Sequence, residues 1–347
     1  MSADVTFGIG LPLDDPVEEL VELAQSAEEL GYASVWANDD RLQRDVFSVL
    51  GALALGTERV RLGPGVTNPY SRHPALVAAA VATLDEISGG RAALGLGAGG
   101  TNHRALGVRR EAPVSALREA VELIRGLLAG REVTLQGRII RAREAKLDFE
   151  PRRASLPIFI GARGPRMLEL AGEIADGVIV GNIANPQGWA YALRHASLGA
   201  ERAGRDGSEL AFTAWLYCSI ADDPAEAADA VRPMVATSLV TSRPILHELA
   251  LELPEPFVRA MDETGWSLER ESVTRAGQHI APDLLAWFSL AGTAQDCRRR
   301  LHELLAAFPR ITEVVIVPFP QLGQSRAQLV TRFIHEVARG SVVQVTG

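Results

Sequence analysis

The chain has 347 residues, 47% of them apolar and 22% charged, with a formal net charge of -8. That is enough material for one large α/β barrel or two ordinary domains with a sizeable core. The acidic balance and the lack of a basic tract exclude non-specific nucleic-acid binding, which needs cations to neutralise phosphates.

Strand-like and helix-like runs alternate from the start. Val5 to Leu11 reads as a strand, and Asp15-Pro16-Val17-Glu18 offers an N-cap, a proline at N1 and an acidic N3 for the helix that ends at Gly31. Ser34 to Ala37, Val60 to Gly63 and Ala92 to Leu96 are the next strands. They alternate with helices over Asp45 to Leu55, from Pro74 along the stripe Leu76, Val77, Ala80, Val81, Leu84 and Ile87, and over Ser115 to Leu128. Residues 130–151 switch to arginine-rich alternation, the pattern of a hairpin outside the main repeat. The repeat resumes with strands at Ile158 to Ile160, Val178 to Val180 and Leu210 to Ile220, and helices over Pro165 to Ala175 and Gly188 to Ala203. Residues 224–288 are the least regular, proline-bearing part and read as an insertion or lid. A helix over Thr293 to Ala307, a strand over Glu313 to Val317 and a helix over Ala327 to Ala338 complete the chain. Eight strand-helix units without a linker predict a single (β/α)₈ TIM barrel over 1–347, with a doubly wound open sheet as the alternative.

Ligands in such folds bind at the carboxyl ends of the strands. Gly161-Ala162-Arg163-Gly164-Pro165-Arg166 ends a strand and opens a helix whose first turn has no acidic residue. This reads as a phosphate cradle or as a tight turn with two solvated arginines. Gly95 to Gly100 matches GxGxxG formally, but the next helix begins only near Ser115, so a nicotinamide fold is not expected. Asn38-Asp39-Asp40-Arg41 follows the second strand, where paired carboxylates serve as an acid or are simply solvated. His73 before Pro74 reads as a capping or surface residue, and His103 lies in a polar loop. No histidine pair has ligand spacing, so no metal is expected. Lys146, the only lysine, sits in a polar stretch, which argues against Schiff-base chemistry. Cys218 and Cys297 have no metal or redox spacing and read as reduced thiols. Met1 to Val5 lacks a basic n-region and no apolar run reaches membrane length, so a cytoplasmic protein with no membrane partner is expected.

Taken together, Phe7-Gly8-Ile9, the Gly63 to Pro74 run GPGVTNPYSRHP, Ala82 to Asp85 with Ile87 to Arg91, Gly161 to Gly177, Cys218 to Ile220 and Phe288 to Gly292 resemble the bacterial-luciferase-like superfamily. Within it they resemble the coenzyme F420-dependent methylenetetrahydromethanopterin reductases. The resemblance implies a barrel holding a deazaflavin at the carboxyl ends of its strands. Gly65-Val66 would be the bulge, usually a non-prolyl cis peptide, behind the central ring. Thr67 and Asn68 would line the ring or its chain, and Gly97, Ala98 and Gly99 would approach the ribityl portion. Gly161, Ala162, Arg163 and Gly164 would hold the phosphate, with Gly181 and Asn182 completing that end. The chemistry implied is hydride transfer between C5 of F420 and an electrophilic carbon of a small-molecule substrate. Related barrels pair through their outer helices, so a homo-oligomer is also implied.

Two positions depart from the family pattern. The reductases carry an acidic residue after Phe-Gly-Ile, where this chain has Gly10, and the family tends to place Asp-His after strand two, where this chain has Asp39-Asp40. Both fall on the substrate side. The expectation is an F420-dependent oxidoreductase with a substrate other than methylenetetrahydromethanopterin, using Asp40, or Asp39, as acid or base. The alternatives are an FMN-dependent luciferase-like monooxygenase, a non-catalytic flavin- or deazaflavin-binding protein, and a phosphate-binding barrel of unrelated chemistry.

Overall fold

In the computed structural model, which describes residues 5–40, 42–99 and 105–340, the interior side chains come from parallel strands arranged in a ring. The strands are β1 (Thr6–Leu11), β2 (Ser34–Ala37), β3 (Arg61–Pro64), β4 (Leu94–Leu96), β7 (Ile158–Ala162), β8 (Gly177–Gly181), β9 (Ala211–Ile220) and β11 (Ile311–Pro318). They pair in the order β3-β2-β1-β11-β9-β8-β7-β4. Closure between β4 and β3 comes from backbone bonds: Ala93 N–H to the Leu62 carbonyl (2.8 Å), Thr67 N–H to that of Gly95 (3.0 Å) and Gly97 N–H to that of Thr67 (2.8 Å). The barrel is therefore closed rather than an open sheet.

The outer layer comprises α1 (Val17–Glu29), α2 (Val46–Gly56), α3 (Pro74–Ile87), α4 (Pro113–Leu128), α5 (Pro165–Ile174), α6 (Pro186–Arg202), α12 (Ala294–Ala307) and α13 (Arg326–Arg332). Asp45 caps α2 by accepting from the Ser48 N–H at 2.9 Å. Asp15 does not cap α1. Pro16 holds that position without a side-chain bond, because the Asp15 carboxylate is paired with Arg326 on the last barrel helix. On α3 the buried residues include Val77, Ala78, Val81, Ala82 and Leu84, while Leu76 is 67% exposed, so the buried face lies one position away from the expected stripe. Residues 133–136 and 141–145 form an antiparallel pair outside the barrel, β5 (Val133–Gln136) with β6 (Arg141–Ala145). Lys146 follows it and is exposed.

The stretch 224–288 is helical rather than irregular: α7 (Pro224–Thr241), α8 (Arg243–Glu248), α9 (Glu255–Asp262), α10 (Arg270–Gly277) and α11 (Pro282–Phe288). Four of the five are eight residues or fewer, too short to establish a clear period, and Pro224 and Pro282 begin helices rather than break them. His195 of α6 ties this region to the barrel, its Nδ1 lying 3.1 Å from Glu169 of α5 and its Nε2 2.9 Å from Glu248 of α8. A ninth parallel strand, β10 (Ser289–Gly292), pairs with Tyr217 to Ile220 of β9, taking over the edge that β8 leaves at Trp215. Among the described residues, no helix is long and apolar enough to cross a membrane.

The amino end of the barrel is closed by a buried carboxylate. Glu313 of β11 accepts from Ser34 Oγ (2.6 Å), Arg61 Nη2 (2.7 Å) and Thr213 Oγ1 (3.0 Å), joining four strands. Arg61 in turn lies over the rings of Trp36 and Phe159. Removing one partner of a buried ion pair leaves an uncompensated charge. Arg61→Ala is therefore expected to lower stability by roughly 2–4 kcal/mol, the partial exposure of Arg61 being allowed for. Urea unfolding of the variant checks this, and a change within 0.5 kcal/mol, about the scale of an ordinary surface substitution, would remove the network's structural role.

Candidate functional site

At the carboxyl end of the barrel the loop after β3 makes a shelf. The Gly65–Val66 peptide is cis, and the Val66 side chain lies across the glycines of the two neighbouring strands. A Cβ added to Gly97 would meet Val66 Cγ2 at 2.4 Å, and one added to Gly95 or Gly161 would meet Cγ1 at 3.1 Å. Gly97 and Gly161 make room for Val66, whereas a Cβ on Gly95 would first meet the Pro64 carbonyl oxygen at 2.2 Å. Thr67 and Asn68 follow and are buried. Thr67 bonds to β4 through both its N–H and its carbonyl, while its hydroxyl donates to Asp39 Oδ2 at 2.6 Å. Asn68 Oδ1 accepts the N–H groups of Tyr70 and Ser71, which shapes the turn into α3.

Asp39 and Asp40 stand on the β2 rim. Burial pushes the Asp39 carboxyl above the ordinary aspartate range, against the Thr67 hydrogen bond and the Arg72 charge, which favour ionisation. Across the mouth, Tyr217 of β9 is buried and receives a 3.5 Å hydrogen bond from Ser238 of α7. Its phenol is pushed up chiefly by burial, with Arg163 opposing and Asp40 adding to the rise. Ser238 also accepts from Asn182 Nδ2 at 3.3 Å.

The third side of the mouth is polar and incompletely paired. Arg163 leaves β7 and crosses in front of Gly181, where its Nη2 donates to Thr241 of α7 at 3.0 Å. Its Nη1 is buried without a hydrogen-bond partner, as is Asn182 Oδ1. Burial pulls the guanidinium below the ordinary arginine range. Beside it, α5 begins at Gly164 and Pro165 with no side-chain cap and no acidic residue in its first turn, and the space at Gly164 is open. A buried cationic donor next to an uncapped helix start is chemistry suited to a phosphate group.

Residues 3–309 match the family profile described as luciferase-like monooxygenase. This chain belongs to that luciferase-like family. It is 39% identical over 304 residues to the 5,10-methylenetetrahydromethanopterin reductase of Methanolobus tindarius, covering 87% of this chain and 91% of the relative. It is 37% identical over 317 residues to the reductase of the same name from Archaeoglobus fulgidus, covering 89% and 92%. The solved coenzyme F420 dependent tetrahydromethanopterin reductase of Methanopyrus kandleri superposes with a TM-score of 0.82 at 30% identity, covering 97% and 99% of the two chains.

Within this luciferase-like barrel, Asp39, Asp40, Gly65 to Asn68, Gly97 to Gly99, Gly161 to Gly164, Gly181 and Asn182 all lie at the ends of barrel strands or just beyond them. His103, Gly100 and Arg41 are outside the described residues. His73 caps α3: Nδ1 accepts the Ala75 N–H (3.2 Å) and Nε2 lies 3.0 Å from the Arg141 carbonyl, which assigns the neutral Nε2–H tautomer. The motif from Asp85 to Arg91 lies at the opposite end of the barrel, where Arg91 donates to the carbonyls of Ala54, Thr57, Val60 and Ser88. Cys218 and Cys297 are free, buried thiols. No group of acidic, histidine or cysteine residues capable of holding a metal occurs among the described residues. Trp215, Tyr217, Ser238 and Thr241 were not singled out from the sequence. The alternation Thr213, Trp215, Tyr217 along β9 is the signal that marks the first two as interior-facing.

Because Asp39 is easier to protonate in the fold than in the unfolded chain, its ionisation costs stability above its folded pKa, and that cost vanishes below the unfolded value of about 3.9. Asp39→Asn keeps an acceptor for Thr67 without the charge. It is expected to be at least as stable as the wild type at pH 7, with the difference shifting in the wild type's favour as pH falls towards 4. Thermal melts across that range check the sign.

Proposed function

We propose that this protein is an F420-dependent oxidoreductase that transfers a hydride between C5 of the deazaflavin and an electrophilic carbon of a small organic substrate other than methylenetetrahydromethanopterin. The observation that carries the reading is the meeting of two features in one mouth: the Val66 shelf seated on Gly95, Gly97 and Gly161, and the anion cradle in which Arg163 Nη1 is buried and unpaired. The high identity to reductases of that name supports the cofactor, and Gly10 and Asp40 on the substrate side support the difference in substrate.

The residues fit the group. Arg163, Asn182 and the backbone from Gly161 to Gly164 would hold its phosphate, Val66 would back the ring, Thr67 and Asn68 would line it, and Gly97 to Gly99 with Gly181 would flank its chain. When bound, the deazaflavin supplies a hydride donor or acceptor. The chain's contribution is positioning, since holding two reactants in line supplies much of the acceleration in such a transfer. Thr67 is fixed by its two β4 bonds and by Asp39, so the β3 rim does not yield when a ligand presses on it. Asp40 on the adjacent β2 rim holds or releases the proton that accompanies hydride at the substrate. The helices of 224–288 act as the lid, with Ser238 and Thr241 bringing α7 onto the mouth. The buried thiols accord with a reducing cytoplasm.

Fluorescence titration of the purified protein with F420 and, separately, FMN tests the cofactor. Selective F420 binding is expected, and it should weaken at least tenfold in Arg163→Ala, the loss of one charge-assisted contact. Selective FMN binding would move the assignment to a flavin monooxygenase. Asp40→Asn should bind F420 normally yet lose about 10²-fold or more in turnover, the usual range for a missing acid or base, and full turnover would remove that role.

The exposed Leu55 of α2 and Leu76 and Ile87 of α3 lie on neighbouring outer helices and fit pairing of two copies. Sedimentation velocity is expected to show a dimer, and Leu76→Glu should shift it towards monomer.

A further inference from the structure

The barrel axis just below the mouth is filled by Trp215. A Cβ added to Gly10 of β1 would meet Cη2 and Cζ2 of that indole at 2.8 Å each and Val317 Cγ2 at 3.0 Å, and a Cβ added to Gly65 would meet Cη2 at 2.7 Å, Cζ3 at 2.9 Å and Trp36 Cβ at 2.9 Å. The tip of the ring therefore rests on the backbone of β1, the next strand but one, and on that of the residue after β3, which lies across the barrel from its own strand. Neither glycine has a positive φ, so glycine is needed at both positions for space and not for backbone conformation. Trp215 remains 7% exposed, and it lies with Trp36, Phe159, Val315 and Val317 in one cluster that Val66 packs against. Two residues farther along the same face of β9, Tyr217 forms the next layer towards the rim, so Trp215 lies at the level where the barrel filling gives way to the mouth.

We infer that Trp215 determines specificity at this site by setting the depth of the mouth, and that Trp215 and Gly10 are a volume-exchange pair. The space between β1 and β3 accommodates either an indole from β9 or a side chain on β1, but not both. With the indole in place, β1 presents no side chain to a bound molecule, and the part of the substrate reaching the barrel axis meets an apolar aromatic surface. Polar recognition is left to the rim, at Asp39 and Asp40 on one side and Tyr217, Asn182 and Arg163 on the other. The substrate class that fits is a molecule whose inward end is uncharged and apolar or aromatic and whose polar groups face outwards. This substrate assignment rests on the function proposed above, whereas the exchange pair does not.

A double-mutant cycle with a binding readout tests both. Gly10→Ala is expected to lower Tm by about 3–6 °C in the wild type, the range for an overpacked core position. In the Trp215→Phe background, where the shorter ring withdraws from Gly10, the same substitution should cost less than half as much. An equal cost in both backgrounds would overturn the exchange pair. In the titration, Trp215→Ala should weaken F420 binding at least tenfold and Trp215→Phe by less than threefold. Wild-type affinity in Trp215→Ala would overturn the role in setting depth. If the wild type bound neither F420 nor FMN, the proposed function would fall and the depth assignment with it, while the thermal cycle would still decide the exchange pair.

Discussion

Interior volume is the constraint on which the rest of this structure depends. An eight-stranded barrel has just enough room for side chains to fill it, and here that room is given to a few large groups from some strands while others contribute only glycine. Trp215 lies against Gly10 and Gly65, and Val66 lies against Gly95, Gly97 and Gly161. Gly10, Gly65, Gly97 and Gly161 are each half of a contact whose other half is a bulky side chain, while Gly95 gives way first to the Pro64 carbonyl. The mouth is what this arrangement leaves open: a shelf on the β3 side, an indole at the bottom and a polar wall from β7, β8 and β9.

The two ends of the barrel use charge in opposite ways. At the amino end, Glu313 is fully engaged by Ser34, Arg61 and Thr213, and the arginine is covered by two aromatic rings. Arg61 Nε has no acceptor there, but both carboxylate oxygens of Glu313 are engaged, as in a structural ion pair. At the carboxyl end, Arg163 has one partner for one nitrogen and none for another, and Asn182 has a carbonyl oxygen with no donor. Unmet polar capacity in a buried position is costly, and here it faces the open mouth without a carboxylate to pair with.

The alternation of strands and helices was legible because each unit carries its own punctuation: Asp45 before α2, Pro74 at the start of α3 and Gly31 after α1. The loops at Gly65 and Gly161 were legible because glycine, proline and asparagine gather there for local reasons. The rest of the site was not, because its partners are distant in sequence. Nothing near Gly97 indicates that its missing side chain makes room for Val66, and nothing near Gly10 points to Trp215. Asp15 looked like a cap because its local pattern is that of one, but Arg326 claims it from the far end of the chain. β10 was missed because four residues with two small side chains carry too little periodicity to register as a strand.

The apolar contacts inside the barrel do not end at the rim. Trp36, Phe159, Trp215 and Tyr217 belong to the same cluster as Val231, Val235 and Leu239 of α7 and Phe257, Met261 and Phe288 farther on. The helices of 224–288 are thus packed as an extension of the barrel filling rather than as a separate appendage. Substrate range in this fold cannot be reassigned by grafting that segment from a relative on its own. A chimera would bring foreign side chains against Trp215 and Tyr217, so β9 and the helical segment have to be exchanged as one unit of inheritance.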